Sequence, residues 1–367
     1  MIDVVLVVNA GSSGLKLAVL RAESTTPIAA TTLEGWNGDD VEAIADFASG
    51  HQLEAVGHRV VHGGTRFSAP AVLNGSTRNE IADLADLAPL HQSRALAGID
   101  ATTRALPHVQ GVACFDTAFH ASLPAAAATY AIPVEWRRRW GIRRFGFHGL
   151  SHQWVARRAP AMVGDPTADL AIVSCHLGAG ASVCAISGDR SRDTTMGFTP
   201  LEGLVMATRS GTVDPGLVIW LLRQGLTLDE VSNGLELEGG LLALAGTADM
   251  RKLLTDCEQN VDAARAAFDV YVHRLCREIA GMTAALGRLD ALVFTGGVGE
   301  QAPSVRLAVA QRLEYLGVSI EESTNSSACS DRMISPPDAV VRTLVVTSRE
   351  DLEIASQVRE ALRLANA

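Results

Sequence analysis

The feature that most constrains the fold of this chain is a pattern that occurs twice. The stretches LVVNAGSSGLKLAVL and IVSCHLGAGASVCAI each predict a strand, a polar residue, a glycine-rich turn and a second strand. In this comparison Asn9 corresponds to His176 and Gly11 to Gly178, both with an offset of 167 residues (176 − 9 and 178 − 11). Backbone N–H groups in such turns form a concave site for an anion. The repeat therefore predicts two similar halves, whose phosphate-binding turns face each other across a cleft.

The remaining sequence alternates between strand and helix patterns, which is typical of an α/β fold. AVGHRVV, VQGVACF and LDALVF predict strands, and the stretch from about Val261 to Leu286 predicts a long helix. STRNEIADLADLAPL predicts a helix that ends at its proline. FTGGVGE lies between a strand and the helical SVRLAVAQRL. Such a turn is common beside nucleotides, but by itself it is equally typical of a purely structural turn.

Composition limits the classes of partner. The 367 residues are enough for two domains. The formal net charge of −10 disfavours nucleic acid as a partner, because phosphate backbones select basic surfaces. We therefore expect the basic run EWRRRWGIRR to be a solvated face, and any anionic substrate to bind in a local positive pocket.

The cysteines indicate the compartment. The six cysteines have no metal-like spacing, and most lie in apolar runs. We expect a reducing, cytoplasmic location, because the sequence shows neither a secretory signal nor an apolar run of the ~18 residues that a membrane span needs.

Several short stretches combine basic side chains with glycine or hydroxyl residues. They are GHRVVHGG, PLHQS, FDTAFH, RRFGFHGLSH, SCHLGAG and MATRSGTVDP. Phosphoryl transfer needs positioning, a Mg²⁺ ion and positive groups around the transferred phosphoryl, and these stretches supply such groups. A single histidine beside a glycine is more often structural, so the prediction depends on the combination.

In combination, NAGSSGLK, GHRVVHGG, FDTAFH, FGFHGLSH, DTTMGFTPLEGLVMATRSGTVDP and FTGGVGE resemble the acetate kinase family, in the same order and over nearly the whole chain. The resemblance implies an α/β fold of two ribonuclease-H-like (actin-like ATPase) domains with a cleft between them. The N-terminal domain would span 1–147 and be completed by a helix over 351–367, and a nucleotide-binding domain would span 148–350. The resemblance also implies a homodimer and the reaction ATP + acetate ⇌ ADP + acetyl phosphate with Mg²⁺, or with Mn²⁺ in its place. The partners would be these small molecules, with no nucleic acid and no membrane.

The same resemblance assigns roles to individual residues. The catalytic residues it implies are Asp116, His148 and Arg209. The substrate-binding residues are Arg59 and His91, with an apolar pocket for the acetate methyl group formed by Val61, Leu90, Phe147 and Pro200. The metal-binding residues are Asn9 and Glu350. The nucleotide-binding residues are Ser12, Lys16, His176, Leu177, Gly178, Ala179, Gly180, Asp249, Met250, Arg251, Gly296, Gly297, Val298, Gly299 and Glu300.

The chemistry of the substrate argues against a general base. A free carboxylic acid has a pKa near ~4, so acetate is ionised at neutral pH and has no proton to lose before it attacks. We therefore expect Asp116 to orient Arg59 or a Mg²⁺-bound water molecule.

In the two glycine-rich turns, three positions depart from the family pattern. Gly14 replaces a third serine, and the second turn is HLGAGAS where the family has HLGNGSS, so that Ala179 and Ala181 lack an amide and a hydroxyl. Each neutral hydrogen bond contributes roughly 0.5–1.5 kcal/mol, so we expect the affinity for ATP to be about tenfold lower.

Two alternative functions stay open. A propionate or butyrate kinase would differ by methylene groups in an apolar pocket, which discriminate by only ~10- to 200-fold. A nucleotide-binding protein of the same fold with little turnover is also compatible with the fold. The joint presence of Arg59, Asp116, His148 and Arg209 disfavours that second alternative, because a protein that only binds nucleotide has no need of cations on the acyl side.

Overall fold

The computed structural model describes residues 2–11, 14–327 and 330–365. It divides into two compact units. Unit 1 comprises Met1–Ala121, Phe147–Trp154 and Arg349–Ala367, and unit 2 comprises Ser122–Gly146 and Val155–Ser348. The sequence analysis placed one boundary at 147/148, whereas the chain passes from unit 1 to unit 2 after Ala121, returns to unit 1 after Gly146 and passes to unit 2 again after Trp154. Residues 122–146, which the sequence analysis assigned to the N-terminal domain, belong to unit 2.

The strands in the described part of the chain are β1 (Val4–Ala10), β2 (Gly14–Arg21), β3 (Ala29–Glu34), β4 (Ala55–Val60), β5 (Ala71–Val72), β6 (Gln110–Phe115), β7 (Ala171–Leu177), β8 (Ala181–Ser187), β9 (Arg190–Thr194), β10 (Ala291–Thr295), β11 (Arg332–Met333) and β12 (Arg342–Val345).

The helices are α1 (Val41–Ser49), α2 (Gly75–Ala82), α3 (Pro89–Ala105), α4 (Ala125–Ala128), α5 (Val134–Trp140), α6 (Gly149–Met162), α7 (Pro215–Arg223), α8 (Leu228–Glu236), α9 (Gly240–Ala245), α10 (Met250–Glu258), α11 (Asp262–Leu286), α12 (Gly296–Gln301), α13 (Pro303–Arg312), α14 (Glu322–Asn325) and α15 (Glu350–Ala365). Short 3-10 turns span Ala85–Leu87, Ala118–Ser122 and Glu314–Leu316.

Each unit contains a mixed six-stranded sheet, and the two sheets have the same topology. The strand order is β3-β2-β1-β4-β6-β5 in unit 1 and β9-β8-β7-β10-β12-β11 in unit 2. In each sheet three antiparallel strands are followed by two parallel strands and a short antiparallel edge strand. Strands β1 and β7 have 7 residues each and are offset by 167 residues (171 − 4). The predicted α/β fold of two ribonuclease-H-like halves is confirmed.

The central strand β1 is apolar because both of its faces are covered. Val5 and Val7 pack in one cluster with Ile354 of α15, and Val4, Leu6 and Val8 pack in another with residues of α1 and α3. Side chains alternate between the faces of a strand, so a continuous run of β-branched residues is what a strand between two helical layers requires.

Some local predictions differ from the structure. The helix predicted over STRNEIADLADLAPL is interrupted: α2 ends at Ala82, and Pro89 lies in the first turn of α3 instead of ending a helix. Proline suits that position because the first N–H groups of a helix have no partner within the helix. The glycines of FTGGVGE lie in the short helix α12. The long helix predicted from about Val261 is α11, and the terminal helix begins at Glu350.

Two observations concern the expected compartment. None of the helices formed by the described residues is long and apolar enough to cross a membrane. The described cysteines, Cys114, Cys175, Cys184, Cys257 and Cys276, are free thiols, and Cys329 lies outside the described residues.

Candidate active site

In unit 1, polar residues meet at the ends of three neighbouring parallel strands. Asn9 lies near the end of β1, Arg59 is the next-to-last residue of β4, and Asp116 directly follows β6. β4 pairs in parallel with both β1 and β6. The carboxyl ends of parallel strands meet at one edge of a sheet, which is where α/β proteins commonly bind ligands. The sheet topology therefore brings these three side chains together.

The Arg59 guanidinium is the centre of this group. Its Nη2 atom donates to Asp116 Oδ2 at 2.7 Å, and its Nε atom donates to both carboxylate oxygens at 3.2 and 3.3 Å. Its Nη1 atom lies 3.5 Å from Asn9 Oδ1, and its Nε atom lies 3.7 Å from Glu350 Oε2. The expected contact between Asp116 and Arg59 is thus present, in the bidentate form that only arginine can make.

Burial and charge set the protonation of this pair. Burial raises the pKa of Asp116 to about 6, which outweighs the opposing effect of Arg59, and the nearby Glu350 carboxylate raises it further. For Arg59, burial lowers the pKa, but the Asp116 and then the Glu350 carboxylates outweigh burial and hold it above its usual range. Arg59 is therefore a permanent cation, and Asp116 is an anion above about pH 6.

His148 has an unusual backbone conformation. Its φ angle is 55°, in the left-handed region that residues other than glycine rarely adopt. The next residue, Gly149, donates its N–H to the Asp116 carbonyl at 2.9 Å, and a side chain at Gly149 would collide with that carbonyl. The carbonyl oxygen of Phe147, the residue before His148, lies 3.0 Å from His120 Nε2. Such conformations are frequent at functional sites, where the surrounding structure holds them.

The first hairpin places Lys16 beside Asn9. The two residues are direct partners in the β1–β2 ladder, so their side chains lie on the same face of the sheet. Lys16 is exposed. The predicted nucleotide-binding residue Ser12 lies outside the described residues.

The predicted acyl pocket is described only in part. The side chains of Leu90 and His91 are not among those described. Phe147 is buried in unit 1, with its ring centroid 5.4 Å from that of His62, and Val61 is half-buried. Pro200 belongs to unit 2. The acyl pocket therefore stays a prediction.

Unit 2 contains a cavity of about 620 Å³. It is formed by the turn between β7 and β8, the start of α10 and the helix α12, with α9 and α11 behind them. Its lining includes seven of the predicted nucleotide-binding residues: Gly178, Ala179, Asp249, Met250, Arg251, Gly297 and Val298. The structure therefore assembles one cavity from three segments that the sequence analysis had selected separately.

Other predicted nucleotide-binding residues support this cavity from behind. Leu177 is fully buried. Gly296 has a φ angle of 77°, and a Cβ atom there would lie 2.8 Å from the Leu177 carbonyl oxygen, so only glycine fits where β10 passes β7. Glu300 Oε1 accepts hydrogen bonds from the N–H groups of Gly296 at 3.0 Å and Ser348 at 2.9 Å. The Glu300 carboxylate thus holds the glycine turn in place. Three further predicted residues belong to the same segments: His176 lies in β7, Gly180 directly precedes β8, and Gly299 lies in α12.

Sequence reasoning missed part of the lining. The additional residues are Ala207, Leu241, Ala248, Leu254, Tyr271, Gln301 and Ala302. Three of them, Leu241, Leu254 and Tyr271, lie on helices, where their pattern indicates only a buried face. Ala248 and Gln301 directly adjoin the predicted residues Asp249 and Glu300, and their position along the chain could have suggested a role.

Arg209 lies in unit 2, on the loop between β9 and α7. Its Nη1 atom donates to the Pro200 carbonyl at 3.0 Å and lies 3.5 Å from Met206 Sδ. Burial lowers its pKa, and the Glu236 carboxylate offsets this effect only in part. Among the described residues no carboxylate lies within ion-pair distance of Arg209. Arg209 is thus a half-buried cation that forms no ion pair with a carboxylate of the described residues.

Comparison with known proteins gives a consistent result. A family model described as the acetokinase family matches residues 39–356. The acetate kinase of Symbiobacterium thermophilum is 38% identical over 98% of this chain and 99% of its own length. Solved structures of relatives match with a TM-score of 0.90. A propionate kinase from Francisella tularensis is 33% identical over 98% of this chain and 99% of its own, and the acetate kinase of Porphyromonas gingivalis is 31% identical over 98% and 100%.

The family match covers most of the chain, the relatives are similar over nearly their full lengths, and the duplicated sheets agree with the solved structures. This chain belongs to the acetokinase family and is a kinase.

Proposed function

We propose that the protein is an acetate kinase that transfers the γ-phosphoryl group of ATP to acetate. An acetate oxygen would form a bond to the γ-phosphorus as the bond from that phosphorus to the β–γ bridging oxygen breaks, which yields acetyl phosphate and ADP. The observation that carries this proposal is the Arg209 guanidinium, which is half-buried and has no ion-pair partner among the described residues. Negative charge on a transferred phosphoryl is what such a cation would stabilise.

The cavity of unit 2 supports nucleotide binding. Its volume of about 620 Å³ suits a ligand of the size of adenosine. Apolar residues such as Leu241 and Leu254 line it, while Asp249 and Arg251 provide polar groups at its rim. The backbone of the turn from Gly178 to Gly180 would bind phosphate.

Arg59 and Asp116 support the binding of a carboxylate substrate. The Arg59 guanidinium keeps its charge and is oriented by the bidentate contact with Asp116. In this proposal Asp116 orients Arg59 and removes no proton, because acetate is already ionised at neutral pH. His148, on the strained turn beside Asp116, would provide a further donor to the transferring phosphoryl.

The oxygen atoms around Arg59 fit the metal that the family implies. Asn9, Asp116 and Glu350 offer one amide oxygen and two carboxylates, and Mg²⁺ prefers such hard oxygen ligands. Among the described residues no group of three or more His, Cys, Asp or Glu side chains could hold a metal by itself. Mg²⁺ commonly completes its coordination with water and substrate phosphates, so Asn9 and Glu350 would hold it jointly with the nucleotide. When bound, the ion would neutralise charge on the phosphates.

Because ATP is a substrate, we also propose a cytoplasmic location.

We further propose that the protein is a homodimer, supported by an unusual helix in unit 2. The helix α7 (PGLVIWLLR) has no buried residue although most of its side chains are apolar. Leu217, Ile219, Trp220 and Leu222 are 40–55% exposed. Contiguous apolar surfaces of this kind mark protein interfaces, and a second copy of the chain is the partner that the family implies.

The dimer is tested by a pair of tryptophan substitutions. Trp220 on α7 and Trp140 at the end of α5 are equally exposed, each at 55%. We expect Trp220→Ser to convert the protein from dimer to monomer in light scattering coupled to size exclusion at micromolar concentration, whereas Trp140→Ser should leave the mass unchanged. A monomeric wild type, or equal effects of the two substitutions, would contradict this proposal.

The proposed reaction is tested by trapping acyl phosphate as the hydroxamate, with Mg·ATP and acetate, propionate or butyrate in parallel assays. We expect kcat/KM to be highest with acetate and activity to be lost in Arg209→Ala. Arg190→Ala, which removes an exposed arginine of the same unit, is the control and should retain activity. A higher kcat/KM with propionate would favour the activity named for the Francisella relative. No turnover with any acid, in folded protein that binds ATP, would refute the proposal.

A further inference from the structure

We infer that Glu202 is a positioning residue for Arg209. The inference rests on the proposed function, because it concerns the cation that would stabilise the transferred phosphoryl. It is drawn from a half-buried network in unit 2, formed by Tyr130, Arg144 and Glu202, which holds the loop that leads to Arg209.

Both carboxylate oxygens of Glu202 are occupied. Arg144 Nη2 donates to Oε1 at 2.8 Å, and Tyr130 Oη donates to Oε2 at 2.5 Å. The Arg144 side chain is 17% exposed and that of Glu202 is 33% exposed, so the pair is largely shielded from water. Burial, followed by the hydrogen bond to Glu202, raises the pKa of Tyr130 above its usual range, so the phenol keeps the proton that it donates.

The partners of Glu202 bind the backbone of the loop. Arg144 Nη1 donates to the carbonyl oxygens of residues 194, 195 and 196, each at 3.1 Å. Tyr130 Oη accepts a hydrogen bond from the Phe198 N–H at 2.9 Å. Glu202 is therefore the acceptor that fixes two donors, and those donors in turn fix four backbone positions of the loop.

Gly197 shows how closely the network encloses this backbone. A Cβ atom at Gly197 would collide with Glu202 Oε2 and Tyr130 Oη. The Gly197 carbonyl accepts hydrogen bonds from the N–H groups of Phe145 at 3.0 Å and Gly146 at 3.3 Å. The loop thus has no room to shift toward the network while Glu202 is in place.

The loop fixed in this way carries a direct contact of Arg209. Pro200 lies between Phe198 and Glu202, and its carbonyl oxygen accepts from Arg209 Nη1 at 3.0 Å. Arg209 has no carboxylate among the described residues to orient it, in contrast to Arg59, so this carbonyl is its main oriented polar contact. Without the Glu202 carboxylate, Arg144 and Tyr130 would lose their common acceptor and the Pro200 carbonyl would lose its fixed position.

The network also distinguishes the two arginines by their ion pairing. Glu202 forms an ion pair with Arg144 at 2.8 Å. Arg209, by contrast, has no carboxylate within ion-pair distance among the described residues.

The test is the substitution Glu202→Gln, which keeps the shape of the side chain and removes its charge. Glutamine can accept from Arg144, but its NH2 group offers no acceptor to the Tyr130 hydroxyl. We expect kcat for acetyl phosphate formation to fall about 10- to 100-fold, while KM for ATP stays within about twofold. Asp269→Asn is the matched control, because it removes the carboxylate of an exposed ion pair with Arg312 at the same 2.8 Å in the same unit. It should leave kcat unchanged.

A double substitution distinguishes positioning from a general loss of structure. If Glu202 acts through Arg209, then Glu202→Gln should reduce kcat less than about twofold in an Arg209→Lys background. Independent effects that multiply in the double variant would overturn the inference, as would an unchanged kcat in Glu202→Gln. If Glu202→Gln does not fold, Tyr130→Phe removes one arm of the network and should lower kcat in the same direction without raising KM for ATP.

Hydrogen exchange tests the inference independently of turnover. In Glu202→Gln, amides of residues 195–212 should exchange faster than in the wild type, and those of β7 and β8 should not; in Asp269→Asn neither set should change. An unchanged rate for residues 195–212 would overturn the inference even if the wild type is an active kinase. If the wild type forms no acyl phosphate but the exchange rates change as expected, the proposed function fails and the positioning of the loop stands.

Discussion

Asp116→Asn provides the sharpest test of the site in unit 1. Asn has the same shape as Asp, but it carries no charge and can accept only with one oxygen from Arg59. Asp116 is 1% exposed and forms the bidentate contact with Arg59, so the substitution acts on a buried pair without creating a cavity. We expect Asp116→Asn to reduce activity. At neutral pH we also expect it to remove the unfavourable contribution that the buried, charged Asp116 carboxylate makes to the free energy of unfolding.

The cost to stability follows from the raised pKa of Asp116. A group whose pKa is higher in the folded than in the unfolded state favours the folded protein when it is protonated, and this contribution is lost as pH rises through the folded pKa. For Asp116 the contribution is full below its usual pKa of 3.8 and is lost by about pH 6. At about 1.4 kcal/mol for each pH unit, the free energy of unfolding of the wild type should fall relative to Asp116→Asn by about 3 kcal/mol between pH 4 and pH 7.

The assay is urea unfolding of both proteins at several pH values from 4 to 7, monitored by circular dichroism. Subtracting one protein from the other removes the contributions of titrating groups that do not interact with Asp116, so the pH dependence that remains belongs to Asp116 and the groups in contact with it. A difference in unfolding free energy that does not change over this range would refute the reasoning about burial. A difference of the opposite sign would mean that Arg59 outweighs burial.

The activity of the same variant tests the role of the carboxylate. Hydrogen bonds to charged groups contribute about 1.5–3 kcal/mol, so loss of one of them should lower kcat/KM for acetate about 10- to 100-fold. In the wild type kcat/KM should fall below about pH 6, as Asp116 is protonated, and in Asp116→Asn this inflection should be absent. A rate close to that of the wild type across neutral pH, with saturating Mg²⁺, would exclude an essential role for Asp116.

Four further substitutions test other parts of the structure. Asn9→Ala should raise the Mg²⁺ concentration needed for half-maximal rate without changing the urea midpoint, and an unchanged Mg²⁺ requirement would remove Asn9 from the metal site. Ala179→Asn should lower KM for ATP up to about tenfold, because residue 179 is exposed at the cavity. Ala181→Ser should leave KM for ATP unchanged, because residue 181 is buried in β8. Equal effects of the two would contradict this distinction. Gly57→Ala should lower the free energy of unfolding by about 1–3 kcal/mol, because its Cβ atom would lie 2.5 Å from Ile354 Cγ2 and force α15 away from β4. An unchanged urea midpoint would show that the contact relaxes freely.

The family motifs pointed to segments that the structure brings together, but not to the contacts that each side chain makes. Glu300 was expected at the nucleotide, and its carboxylate is occupied by two backbone N–H groups. Ala181 was expected to lack a phosphate contact; the residue is fully buried in β8, and the loss of that contact stays a prediction. A motif records which residues recur together, whereas the direction of a side chain depends on the packing of its neighbours.

What the sequence determined by itself is the duplicated α/β architecture, the order of the motifs and the identity of the cations. Those signals are local: a strand, a glycine turn and the next strand lie within about fifteen residues of each other. Only the tertiary structure decided which groups meet. Asn9, Arg59, Asp116 and Glu350 come together because β1, β4 and β6 end at one edge of the sheet and α15 returns to it from the far end of the chain. Residues 122–146 belong to unit 2 because Tyr130 and Arg144 bind Glu202 there, a contact across more than 50 residues that no local pattern encodes.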